Sequence, residues 1–250
     1  NQLFFTVYLV SRLIIHVLGT AQDGSYPHAG CQNICCELAW NKPELHRLPS
    51  SIAAIDKNNN KFYLFDITPN IKEQLHRLEK YNCELAGIFI THAHIGHYLG
   101  LLDLGLEIMN TNQIPVYVMP RMKNFILNNQ PMNQLVENNN IILKEIKQKQ
   151  KISFQNLSVI PFEVPHRNEL SETIGFRLKV NEETIIFLPD IDDWDSWNID
   201  LLDLAKNNEL LFLDGTFYEK NEIQSRDISK IPHPEILDTM NRLSKLSKLE

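Results

Sequence analysis

The chain has 250 residues, 43% of them hydrophobic and 22% charged, and a net charge of −7. That is enough apolar sequence to bury a substantial core, while the acidic balance disfavours generic attraction to nucleic acid or to anionic membrane surfaces. The longest apolar stretch, residues 3–18, is broken by Ser11, Arg12 and His16, which rules out a convincing membrane span and leaves a small-molecule substrate as the expected partner.

In chain order, residues 1–12 read as an N-terminal remnant whose segment 4–10 has the character of an export-signal tail, in a chain that opens on Asn rather than Met. Residues 12–18 read as a strand, followed by a turn-rich segment at 19–30. Residues 51–55 and 61–67 flank Lys57-Asn58-Asn59-Asn60, a connection suited to a hairpin. Residues 70–80 carry Ile71, Leu75 and Leu78 at helical spacing, and 85–90 is a continuous apolar strand. A buried helix is expected at 98–109, a strand at 115–119 and a helix at 121–128. Strands follow at 141–146, 152–154, 157–162, 173–180 and 184–188. A helix at 201–206, a strand at 210–213 and a helix at 234–249 complete the pattern. The alternation is that of an α/β or α+β protein, read as one domain over 13–250.

Residues 91–97 read Thr-His-Ala-His-Ile-Gly-His, directly after a predicted strand. A strand entering a tight turn can aim several imidazoles at one point, and neutral imidazole suits zinc, iron, copper or nickel. His92, His94 and His97 are therefore candidate metal ligands. Polar residues recur at other strand ends: Asp66, His166, Asp190 and Asp214. If those strands share a direction, their ends converge on one edge.

Three of the four cysteines, Cys31, Cys35 and Cys36, form a C-x-x-x-C-C cluster near His28. Adjacent cysteines pair poorly with each other, and a secreted framework spreads its cysteines more evenly, which favours the cytoplasm over export without deciding it. A structural zinc and buried or reactive thiols both remain open readings.

An Asp closing a strand, a T-H-x-H-x-x-H loop, and a lone His and a lone Asp at later strand ends together resemble the metallo-β-lactamase superfamily. The resemblance runs from about Leu13 to His233 and implies a four-layered αββα sandwich. Gly19-Thr20-Ala21-Gln22-Asp23-Gly24, Gly30-Cys31, the histidine loop through Tyr98, Pro165-His166-Arg167 and Ser171-Glu172-Thr173 are more narrowly similar to the PQQ-biosynthesis protein B group. The superfamily's last strand and its final His are not reached, so the domain is expected to be C-terminally incomplete.

The resemblance implies His92, His94 and His166 as ligands of one ion. Asp190 would bridge to or complete a second site shared by His97, and Asp66 would orient the loop from behind. Zinc is the expected metal, as one or two ions, with iron an alternative. Gly96 stands where the superfamily loop usually carries an Asp, which points to one ion or a loosely held second. Asp190 and His233 are the candidates for proton handling, His233 against the alternative of a surface loop histidine. Arg167 and Glu169, close after His166, are candidate substrate contacts, against a solvated charge cluster.

The expected activity is metal-dependent hydrolysis of a small ester, phosphodiester or lactone-like substrate, in which the metal activates water and polarises the scissile group. An iron-dependent oxidoreductase in PQQ-type cofactor biosynthesis and a non-catalytic carrier of the same fold are the rivals. Oligomeric state is not legible.

Overall fold

The computed structural model describes residues 7–10, 13–219, 222 and 231–246. They divide into two compact units, one within Asn1–Ile146 together with Leu170–Glu172, the other within Lys147–Glu169 and Thr173–Glu250.

The first unit contains strands β1 (Val7–Val10), β2 (Leu13–Gly19), β3 (Ser51–Asp56), β4 (Lys61–Phe65), β5 (Glu84–Phe89), β6 (Ile114–Val118) and β7 (Ile141–Glu145). Its helices are α1 (Ile34–Trp40), α2 (Ile71–Leu78), α3 (Ile95–Tyr98), α4 (Pro120–Asn128) and α5 (Met132–Glu137). The seven strands lie in sequence order, β1 to β4 antiparallel and β4 to β7 parallel.

The change of direction follows from the connections. β3 and β4 are joined by a tight turn in which Asn60 takes a positive φ of 52°, a conformation asparagine tolerates. Between β4 and β5 the chain crosses through α2, which buries Ile71, Gln74 and Leu78 on one face. The two apolar residues join a core with Leu18, Leu64, Ile88 and Val116, where each fully buried aliphatic side chain contributes roughly 1.5–3 kcal/mol. Gln74 is satisfied by Thr68 Oγ1 at 2.9 Å and the Pro49 carbonyl at 3.2 Å.

The second unit contains β8 (Ile152–Ser153), β9 (Ser158–Glu163), β10 (Ile174–Val180), β11 (Glu183–Leu188) and β12 (Leu210–Leu213), with α6 (Leu201–Lys206) and α7 (Ile236–Leu243). Its sheet order is β12-β11-β10-β9-β8. β10 is antiparallel to both β9 and β11, and β12 runs parallel to β11, so β9, β11 and β12 all point the same way. Phe162, Ile186, Leu188, Trp194, Trp197, Leu201 and Leu204 form its core. Mixed sheets with flanking helices make the protein α+β, as the alternation of patterns predicts.

Three elements differ from the sequence reading. The helix expected over 98–109 is a four-residue α3 running into a 3-10 helix at Leu99–Leu104. Gly100 explains the tightening: its N–H donates to the Ile67 carbonyl at 3.1 Å, and a Cβ there would lie 2.1 Å from the Thr68 carbonyl oxygen. Short helices α1 and α5 lack the periodicity that marks α2. Val7–Val10 is a strand paired with β2, while residues 1–6 and 11–12 lie outside those described, as do 247–249 of the last predicted helix.

Candidate metal centre

The parallel pairing of β4 with β5 brings two loops to one edge of the first sheet. β4 is followed by Asp66, whose positive φ of 63° turns the chain sharply, and its N–H donates to the Phe89 carbonyl at 2.8 Å. The Asp66 carboxylate then accepts from the Thr91 N–H at 2.8 Å, from Thr91 Oγ1 at 2.9 Å and from His97 Nδ1 at 2.7 Å. Burial pushes the Asp66 carboxyl above the usual carboxylate range, while the His97 ring and the Thr91 donors oppose that rise.

His92, His94 and His97 are brought together by this loop. His92 Nδ1 lies 2.9 Å from Thr91 Oγ1, and its Nε2 lies 2.9 Å from His94 Nδ1. The His92 and His97 rings are 4.3 Å apart, centre to centre. The loop is pinned by the Ser171 hydroxyl, which accepts from the Ala93 N–H at 2.9 Å, and by the His97 carbonyl, which accepts from the Ile67 N–H at 2.9 Å. His92 and His97 are buried and His94 is half-buried. Two imidazole nitrogens 2.9 Å apart are ligands of the kind a borderline divalent cation such as zinc takes, at a spacing shorter than the edge of a tetrahedral zinc site.

The second unit collects its own cluster at the shared exit of β9, β11 and β12. His166, Asp190 and His233 each present a ligand atom within 4.8 Å of the others. His166 Nδ1 is 2.9 Å from Asp192 Oδ1, leaving Nε2 as its other ring nitrogen, and burial lowers its pKa against the opposing charges of Asp190 and Asp192. Asp214 accepts from the Ile191 N–H at 3.0 Å and from His233 Nδ1 at 2.6 Å. Burial alone would lower the His233 pKa, but the hydrogen bond and charge of Asp214, aided by Asp190, outweigh it and raise the pKa.

The remaining candidates separate clearly. Arg167 is half-buried, with an Nε that is shielded from solvent and finds no hydrogen-bond acceptor among the described residues. Glu169 is exposed. Glu172, three residues on, instead accepts from the Arg121 and Met122 N–H groups at the start of α4. Trp194 and Trp197 belong to the core, their indole N–H groups donating to Thr239 Oγ1 at 2.8 Å and to the Glu163 carbonyl at 3.1 Å.

Cys31, Cys35 and Cys36 gather around α1 with their sulfur atoms within 4.8 Å of one another, all as free thiols. The Asn33 N–H beside Cys31 holds its thiol below the ordinary range. The His28 N–H donates to Cys36 Sγ at 3.3 Å and favours its thiolate, but burial and the neighbouring Cys31 raise that pKa overall.

Sequence reading misses the residues that hold these side chains: Thr91 and Ser171 in the first unit, and Asp192 in the second. Asp192 had a usable signal, as the second acid of Asp190-Ile191-Asp192 at a strand end. Ser171 stands in a segment that carries the family resemblance, but its role had no signal there, its partner Ala93 being 78 positions away.

Comparison with known proteins agrees with this architecture. Zn(2+)-bound PqqB from Methylobacterium extorquens superposes with a TM-score of 0.75 at 19% identity, covering 89% of this chain and 81% of that one. A diphosphatase of the PhnP family gives 0.67 at 21% identity, covering 94% and 83%. The short form of human tRNase Z gives 0.57 at 17% identity, covering 92% and 87%. At these identities the likeness is one of fold, and no curated protein sequence matches the chain. Residues 62–248 match the beta-lactamase superfamily domain, and the chain belongs to that family.

Proposed function

We propose that the chain is a metal-dependent hydrolase in which His92, His94 and His166 hold one divalent ion and His97 and Asp190 serve a second. Zinc is the preferred ion. The observation that carries this reading is the His92 Nε2 and His94 Nδ1 pair, 2.9 Å apart on a loop locked by Asp66, in a chain of this family. Held by these residues, such an ion would supply Lewis acidity, bringing the pKa of bound water near neutrality and polarising a carbonyl or phosphoryl oxygen.

The chain's own groups manage position and protons. Asp66 fixes the His97 tautomer by taking its Nδ1–H, and Asp192 does the same for His166. His233 gives its Nδ1–H to Asp214, so the proton available for a leaving-group oxygen sits on Nε2. Arg167 meets an anionic part of the substrate, because a guanidinium Nε shielded without an acceptor costs stability unless a ligand supplies one. Together with the acidic net charge, this favours a small phosphodiester or carboxylate-bearing ester or lactone over RNA. Likeness in fold to a PhnP-family diphosphatase supports a phosphoryl group as the scissile centre. Among the described residues no helix is long and apolar enough to cross a membrane.

Cys31, Cys35 and Cys36 are proposed to hold a separate structural zinc, supported by their convergent sulfur atoms.

The test is metal analysis of the purified chain, coupled to turnover of bis(4-nitrophenyl) phosphate and of aryl esters and lactones, with His92→Asn and His166→Asn as controls. Zinc content and turnover that fall together in both variants support the reading. Iron with oxygen consumption would replace it by an oxidoreductase, and wild-type metal content in both variants would remove the site altogether.

A further inference from the structure

We propose that Asp23 is a metal ligand, the carboxylate that completes the His97 side of the centre; this rests on the metal reading of the histidine loop. Asp23 lies in the turn-rich loop after β2, and its Oδ1 stands 3.4 Å from His97 Nε2. The other ring nitrogen of His97 is committed, since a carboxylate can only accept and Asp66 Oδ2 at 2.7 Å therefore takes the Nδ1 proton. Nε2 is therefore the ring atom that His97 turns towards Asp23, and an imidazole nitrogen and a carboxylate oxygen are both ligands of the kind zinc takes.

The spacing suits a shared ion. Two ligands each about 2.1 Å from a tetrahedral zinc lie about 3.4 Å apart along the edge of the tetrahedron. Asp23 is partly exposed, its side chain at 33%, whereas His97 is at 5%, so the pair has a buried nitrogen and an oxygen open to entering ions.

Gly96 is the complementary half of this arrangement. A Cβ at position 96 would come within 2.2 Å of Asp23 Oδ1, 2.7 Å of its Cγ and 2.8 Å of its Cα. The last of these is backbone and cannot swing aside. Glycine at 96 is therefore what admits Asp23 beside His97, and the histidine loop receives from another segment a carboxylate that it does not carry itself.

The experiment is zinc titration by calorimetry, with metal content measured after gel filtration, on the wild-type chain, Asp23→Asn and Gly96→Asp. Asp23→Asn keeps the side-chain shape and should lose one zinc equivalent or weaken that ion at least tenfold, leaving the other equivalents in place. Gly96→Asp should not gain affinity and should melt at lower temperature. Wild-type stoichiometry and affinity in Asp23→Asn would overturn the proposal, as would a wild-type chain whose zinc content is unchanged by His97→Asn. A His92→Asn chain that keeps all its zinc would instead defeat the underlying metal reading, so the two failures are distinguishable.

Discussion

Asp66 Oδ2 stands 2.7 Å from His97 Nδ1 while Asp66 Oδ1 accepts the Thr91 N–H at 2.8 Å, so one buried carboxylate sets both the ring and the backbone of the histidine loop. Asp66→Asn retains a residue type that tolerates the positive φ but places an amide N–H₂ against donors that need an acceptor. Zinc affinity of the histidine site should fall 10- to 100-fold. Competition titration against a chromophoric chelator measures it, and an unchanged affinity would show that the carboxylate has no part in holding the site.

Arg167 offers a different test because its proposed partner is the substrate rather than the metal. Arg167→Gln should lower kcat/KM for phosphodiester or carboxylate-bearing substrates by about 10- to 100-fold, the usual scale for a lost charge-assisted hydrogen bond. Neutral aryl esters should be turned over as before, and zinc content should not change. An equal loss on neutral and anionic substrates would assign Arg167 a structural role.

His16 gives the chain an acid-sensitive core. It is fully buried in β2, edge-on to the Tyr81 ring at 5.6 Å, and burial, followed by the charges of Lys80 and Arg77, lowers its pKa from 6.5 to about 4. The unfolded chain then binds the proton more readily than the folded one between those values. Stability from this residue is therefore complete above pH 6.5 and is lost as pH falls towards 4, about 3 kcal/mol in all. Urea unfolding at a series of pH values should show the loss in the wild type and a flatter profile in His16→Gln. Parallel profiles would mean that other groups set the acid sensitivity.

Gly100→Ala should destabilise the fold by about 1–3 kcal/mol, since the added methyl meets the Thr68 backbone oxygen at 2.1 Å. A fall of several degrees in Tm is expected. An unchanged Tm would show that the 3-10 segment relaxes without cost.

The primary structure determined the local chemistry: a strand running into Thr-His-Ala-His-Ile-Gly-His, acids closing β4, β11 and β12, and a cluster of thiols, all readable because apolar periodicity and ligand spacing are short-range properties. It also determined the fold class, since strand and helix patterns alternate over spans that fit mixed sheets. Helix α3 and the 3-10 turn after it were not readable, because Gly100 answers to the Thr68 backbone, more than thirty residues earlier in the chain. Only the tertiary structure decided which acid serves which histidine: Asp66 and Asp23 for His97, Asp192 for His166, Asp214 for His233. Those pairings span 19 to 74 residues and leave no periodic trace, and whether a carboxylate orients a ring or shares an ion with it depends on distances of a few tenths of an ångström that strand pairing and close packing alone fix.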